Sequence, residues 1–349
     1  MESQKRKGYF LMILLTVFLL LCIVISATVG SASLTIWDSL QVILSKVPIL
    51  NRLMNYEPPR QIYEVIIWQV RMPRILQAAF VGGSLAVVGC TFQAIFKNAL
   101  ADPHILGISS GASLGATIGI LSGITLNFFG LGVTSIFAFI GAILTVTLVY
   151  RMGTWGSRMN VTNLLLVGTA MSTLLSAMIS LLMIFNREQL EKVYLWTLGS
   201  FSSATWDKMK FVMIITVVGV VILCFYSREL NALLTGDEVA ASLGVDTDRV
   251  KKILIIVAAL LIAASVSVSG PIGFVGLIMP HCMRLLAGSD HRRLLPLSML
   301  AGASFTIVCD TIARTVADPT EIPVGVITAV FGAPYFIYLL YRHTKGGRG

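Results

Sequence analysis

The chain has 349 residues, 56% of them hydrophobic and 12% charged, with a formal net charge of +9 at pH 7. A soluble globule of this composition would lack the polar surface to cover itself, so lipid is the solvent for most of the chain. Its positive charge follows from membrane orientation and contact with anionic lipid, which leaves no need for nucleic acid as a partner.

Ten apolar stretches of spanning length follow one another, near 9–29, 72–96, 105–124, 131–150, 162–185, 209–226, 253–269, 271–287, 294–316 and 322–341. They predict an all-α, polytopic membrane bundle, with residues 1–349 forming one transmembrane domain. The first stretch follows Lys5-Arg6-Lys7 and is too long for the apolar core of a cleaved signal, so it predicts an uncleaved helix that starts in the cytosol. Ten spans then return the C-terminus to the same side. Sixteen of the 26 lysines and arginines fall on that side and ten on the other, as the positive-inside rule requires. Cys22, Cys90, Cys224, Cys282 and Cys309 lie in or beside apolar runs without C-x-x-C spacing and read as small core residues.

Between the first two spans, the segment 30–69 is the longest non-spanning stretch. Thr35 is placed to cap a short helix carrying Ile36, Leu40 and Ile43 on one face, and Trp37 suits an interfacial anchor. The polar segment 228–252, between the sixth and seventh spans, is a cytosolic contact surface. There Thr235-Gly236-Asp237-Glu238 fits a capping box that starts a helix of about two turns, Asp237 to Leu243, with Gly244 as its left-handed stop. So short a helix needs something to dock on, and Val239, Ala240 and Leu243 on one side favour a partner surface over a solvated loop.

Few residues suggest chemistry. Gly107-Ile108-Ser109-Ser110-Gly111 matches the form of a nucleophile elbow, so a serine-dependent membrane hydrolase using Ser109 or Ser110 is a rival of a different class. The motif opens an apolar span, and no histidine is positioned by the sequence as its base, so a small-residue surface for close helix contact is the better expectation. His104, His281, His291 and His343 show no metal-ligand spacing. Asp310 and Arg314 lie four apart on one helical face, where mutual neutralisation is expected. Arg71-Met72-Pro73-Arg74 places two guanidinium groups where the external loop meets the second span, either as an interfacial anchor or as a docking site for an acidic partner. No G-x-x-x-x-G-K-[ST] phosphate loop and no run of intramembrane carboxylates is present, so a pump built on this chain draws its energy from elsewhere. No catalytic residue, cofactor or resident metal is expected.

A series of segments in order carries a resemblance over nearly the whole chain. They are Arg71-Met72-Pro73-Arg74, Gly82-Gly83-Ser84-Leu85-Ala86, Asn98 to Pro103 leading into Gly107 to Ala112, Gly270 to His281, Asp290 to Pro296, Glu321 to Gly325 and Gly332-Ala333-Pro334. The chain resembles the iron-siderophore, haem and vitamin B12 importer permeases, the membrane subunits of type II ABC importers. Asn98-Ala99 departs from the Asn-Pro common in that family. The resemblance implies ten helices per subunit, a second, identical permease subunit, two cytosolic ABC ATPases and an extracytoplasmic substrate-binding protein. It further implies that Arg71, Arg74 and Arg314 meet acidic residues of that binding protein. Thr235, Gly236, Asp237, Glu238, Val239, Ala240, Leu243 and Gly244 would form the coupling surface against the ATPase, and Asn160, Val161, Thr162 and Asn163 would lie at the cytosolic gate. A cell-membrane importer working by alternating access is expected, with ferric siderophore as the cargo and haem or cobalamin as alternatives. A channel or secondary transporter independent of ATP is the third possibility.

Overall fold

Within lipid, a chain can satisfy its backbone only through internal hydrogen bonds, and this one does so with helices. A computed structural model describes residues 2–30, 32, 34–46, 60–128, 130–154 and 161–346. The helices are α1 (Glu2–Thr28), α2 (Ile36–Ser45), α3 (Gln61–Ile95), α4 (Ile108–Leu121), α5 (Val133–Gly153), α6 (Val161–Phe185), α7 (Leu190–Thr197) and α8 (Trp206–Phe225). There follow α9 (Ser227–Leu234), α10 (Asp237–Ser242), α11 (Thr247–Ser269), α12 (Val275–Ala287), α13 (His291–Ala313) and α14 (Val324–Gly346). Among the described residues seven helices are long and apolar enough to cross a membrane: α1, α3, α5, α6, α8, α11 and α13. Three shorter apolar helices, α4, α12 and α14, complete the ten expected.

Helix α3 is the axis of the bundle. It is buried along most of its length, with α8, α11, α12 and α13 packed around it. Small residues permit the closest approach: a Cβ added at Gly89 would lie 1.8 Å from the carbonyl oxygen of Gly276 on α12. The small-residue face expected on α4 behaves likewise, since a Cβ at Gly111 would meet the Gly141 carbonyl of α5 at 2.6 Å. Polar side chains add interhelical bonds, with Gln77 donating to the Val268 carbonyl at 3.1 Å and Arg284 to Gln93 at 2.7 Å.

Helices α4 and α12 begin later than their apolar stretches predict, and for the same reason. Gly107 (φ 72°), Gly270 (φ 69°) and Phe274 (φ 69°) hold left-handed backbone that no helix can include. The two irregular loops that result, 98–107 and 270–274, meet inside the bundle. Gly276 lies against Pro103 and the Leu85 carbonyl of α3, well within that helix, so α12 starts part-way across. Irregular backbone at this depth is tolerated because protein surrounds it.

Two ends of the bundle are defined by contacts. The first turns of α1 and α13 meet at one end, where Gly8 lies under the Arg293 side chain. The last turn of α1 meets Arg71 and Arg314 at the other. The outer helix α2 forms as expected, with Thr35 and Asp38 completing a reciprocal capping box.

Candidate functional site

At the first of two polar clusters, helix α3 continues seven residues beyond its sequence-predicted start as a π-turn, Val65–Arg71, which carries Arg71 and Arg74 onto one continuous helix. Arg71 is 6% exposed and donates to the carbonyls of Ala27 and Thr28 at 2.6 and 2.9 Å. Arg74 reaches two carboxylates, Asp310 at 2.9 Å and Glu321 at 2.9 Å. Arg314 donates to the Ser26 carbonyl and hydroxyl. The mutual pairing expected of Asp310 and Arg314 is therefore secondary: their nearest ionic atoms are 3.9 Å apart, and Arg74 makes the close contact. All three arginines are committed within the chain, and the carboxylate open to water is Glu321, whose side chain is 43% exposed.

The opposite end holds Asp237. Its Oδ2 accepts from Lys251 Nζ at 2.5 Å, and its Oδ1 lies 2.9 Å from Lys97 Nζ. Lys251 is buried in the first turns of α11, whereas the Asp237 side chain is 44% exposed. Burial pushes the Asp237 carboxyl up, but the two ammonium groups outweigh it and hold the acid below its ordinary range. Lys97 occupies the residue just past the end of α3 with φ 50°, a left-handed position where glycine costs least. Its amide and that of Asn98 close the helix onto Ala94 and Gln93. A single carboxylate thus ties α10 to the ends of two spans.

Helix α10 begins where the sequence predicts, by a different device. Thr235 belongs to the end of α9, its hydroxyl donates back to Ala232 at 2.8 Å, and the capping box with Glu238 is not made. The N-cap is Gly236, at φ 120°, a conformation open to glycine alone. Gly244 ends the helix as predicted, with φ 84° and amides 244 and 245 returning to Ala241 and Ala240. Ala240 is buried against the bundle, while Val239 and Leu243 are exposed, Leu243 at 68%. Glu238 is exposed beside Asp237.

Helix α6 carries the gate residues expected from the resemblance. Val161, Thr162 and Asn163 form its first turn, and Asn160 lies outside the described residues. The sequence reading missed a stripe farther along it. Thr169, Thr173, Ser176 and Ser180 recur at intervals of four, three and four, so they share one face, and all are exposed. Among the described residues, helix α6 packs chiefly on α4, α5 and short adjoining turns, and Thr169, Thr173, Ser176 and Ser180 lie exposed away from them. Thr169, Thr173 and Ser180 bond back to their own helix, which satisfies their protons and leaves oxygen lone pairs outward.

The serine motif acquires a partner that the sequence did not reveal. His104 Nδ1 meets Ser109 Oγ, and its Nε2 lies 3.0 Å from the Ile272 carbonyl. Asp102 is 3.9 Å from that nitrogen, too far to orient it, and Ser109 is buried. The imidazole is a strut that joins the two intramembrane loops.

A ten-helix membrane bundle with two short helices starting inside it, and an exposed polar helix face, has the architecture of a transport permease. The FecCD transport family model matches residues 18–342, and the chain belongs to that family, the membrane permeases of type II ABC importers. It is 44% identical over 278 residues to the cobalamin import system permease protein of Halobacterium salinarum, covering 79% of this chain and 73% of that one. It is 40% identical to the hemin transport system permease protein of Yersinia pestis (81% and 85% covered) and 36% identical to the molybdate import system permease protein of Haemophilus influenzae (95% and 96% covered). A solved inward-facing conformation of a protein described as a metal-chelate type ABC transporter superposes with a TM-score of 0.81 at 34% identity, covering 95% of this chain and 98% of the other.

Proposed function

We propose that two copies of this chain form the path of an ATP-driven importer of a metal chelate in the cell membrane, with the exposed polar face of α6 lining that path. The stripe of exposed hydroxyls carries the proposal: lipid offers no donor to its outward lone pairs, whereas a second copy and a hydrated path would. The basic asymmetry of the loops favours placing both termini and the Asp237 end in the cytoplasm.

On that orientation, segment 228–252 presents α10 to a cytosolic ATPase, with Val239 and Leu243 as the apolar contact and Asp237 as the tie into the membrane. ATP hydrolysis belongs to that separate subunit. The arginine end faces an extracytoplasmic binding protein. Because Arg71 and Arg314 are bound to the chain's own carbonyls, docking would work through Arg74, with a carboxylate of the binding protein replacing the exposed Glu321. Alternating access would open the path at the gate residues 160–163.

Cobalamin is the leading cargo, since a relative named for it is 44% identical over 79% of this chain. Haem and ferric siderophore are the next candidates; a further relative, 34% identical, is an iron-uptake system permease of Bacillus subtilis. The test has two parts. Cysteines placed at Thr169, Thr173 and Ser176 should react with a membrane-impermeant thiol reagent and be protected by cargo, while a cysteine at the lipid-facing Ile13 should not. Uptake of labelled cobalamin, haem and ferric siderophore, measured side by side with the ATPase and binding protein, names the cargo. Unreactive cysteines on the stripe would place the path elsewhere.

A further inference from the structure

The start of α13 is held by a side chain from outside its own helix. Leu230 and Leu233 are fully buried and seat α9 on α3 and α13, which leaves Asn231 beside the first turn of α13. Asn231 Oδ1 accepts from the His291 amide at 2.9 Å and from His291 Nδ1 at 2.8 Å, and its Nδ2 donates to Asp290 Oδ1 at 2.8 Å. The orientation is forced: a backbone amide can only donate, so the Asn231 oxygen faces it and the nitrogen faces the carboxylate. The same Asp290 oxygen accepts from the Arg292 amide at 3.1 Å, so Asn231 and Asp290 together satisfy two of the open amides of α13. His291 is wholly buried, and Asp290 is half-buried and also attracted by Arg292 and Arg293.

Two different ties therefore run from segment 228–252 into the bundle. Asp237 of α10 holds Lys97 and Lys251 with a carboxylate half open to water, whereas Asn231 of α9 holds α13 by hydrogen bonds around a buried imidazole. Three bonds in fixed directions are lost on a small displacement, so α9 and the start of α13 shift together or the contact breaks. Helix α13 is continuous from His291 to Ala313, and its last turn carries Asp310, the close partner of Arg74. We propose that Asn231 is a positioning residue for coupling, which makes α9 and α13 move as one body when an ATPase engages α10. Resting on the coupling role proposed for segment 228–252, this makes α13 the span that carries the movement toward Asp310 and Arg74 at the other end.

The test places the full-length chain in liposomes with an ATPase and a binding protein. Asn231→Leu is similar in shape and removes all three bonds. Affinity for the ATPase should be unchanged, because α10 is untouched, while cargo moved per ATP falls by about tenfold. Asp290→Asn keeps an oxygen for both donors and removes only the charge, so it should retain most of the coupling that Asn231→Leu loses. Unchanged cargo per ATP in Asn231→Leu, or equal loss in Asp290→Asn, would overturn the role. Loss of ATPase affinity together with coupling would also overturn it, since Asn231 would then only support the docking surface. Should Asn231→Leu fail to fold, spin labels on Arg228→Cys and Arg292→Cys, both exposed, report the separation of α9 and α13 in the otherwise unaltered chain. That separation should be the same with and without ATP, and a change between the two states would overturn the single body. Failure of the importer reading itself is visible separately, as absence of ATP-dependent uptake by the unaltered chain.

Discussion

Each end of the bundle holds a carboxylate between cations, and the two differ in how far water reaches. The Asp310 side chain is 1% exposed and Arg74 11%, whereas Asp237 is 44% exposed above the buried Lys251. A carboxylate sealed from water cannot lose its partner without a large penalty, so the Asp310 cluster is fixed structure. A carboxylate half in water can exchange an exposed partner such as Lys97 at little cost, which suits a joint that must transmit movement. The same exposure marks Glu321 as the adjustable member of the arginine end.

The comparison fails first if the sealed end proves soft. Arg74→Met leaves Asp310 buried beside a guanidinium 3.9 Å away, and about 3–5 kcal/mol of stability should be lost, read as a large drop in detergent melting temperature and yield. A near-normal melt would remove the distinction. At the joint, Leu243→Asp puts a charge into the proposed ATPase contact, and affinity for the ATPase should fall by about tenfold or more with the permease still folded. Asp237→Asn should cost about 3 kcal/mol of stability, because its oxygen still accepts from Lys251 but that buried ammonium loses its counter-charge, and should lower the cargo moved per ATP by about tenfold. An unchanged ratio would mean that Asp237 holds α10 without transmitting anything.

Lys97→Gly sharpens the contrast through opposite signs. It relieves the left-handed lysine and should raise stability by about 0.5–1 kcal/mol while weakening coupling. A variant that loses stability and keeps coupling would reverse the assignment. The smallest effect is that of pH. Because the folded Asp237 acid lies below its ordinary value of 3.8, its contribution is complete above that value and fades only as pH falls through the lowered one. Asp237 should therefore add no pH dependence to coupling above about pH 5, and a loss between pH 5 and 7 that disappears in Asp237→Asn would contradict the ion pairing.

Much of this architecture is legible in the sequence because lipid imposes a simple demand. Twenty apolar residues make a helix, and the ten stretches correspond to ten helices in order. Legibility fails where apolar composition and helical backbone part company. Residues 270–274 are as apolar as their neighbours, and only the left-handed Gly270 and Phe274 reveal that α12 starts late. Two capping boxes of similar form met different fates: Thr35 has open chain before it and caps α2, whereas Thr235 is claimed by the end of α9. The Arg74–Asp310 contact joins residues 236 apart, and the His104–Ile272 strut joins residues 168 apart. No local pattern encodes either. The hydroxyl stripe of α6 was available from spacing, but threonines and serines bonded to their own helix are common in membrane spans, and its meaning comes from the face being exposed.

The most direct test is uptake into liposomes by the proposed assembly, two copies of this chain with an ATPase and a binding protein, measured with and without ATP and with a protonophore present. Accumulation should require ATP and continue after the proton gradient is dissipated. Accumulation that proceeds without ATP and stops with the protonophore would identify a secondary transporter and overturn the importer reading.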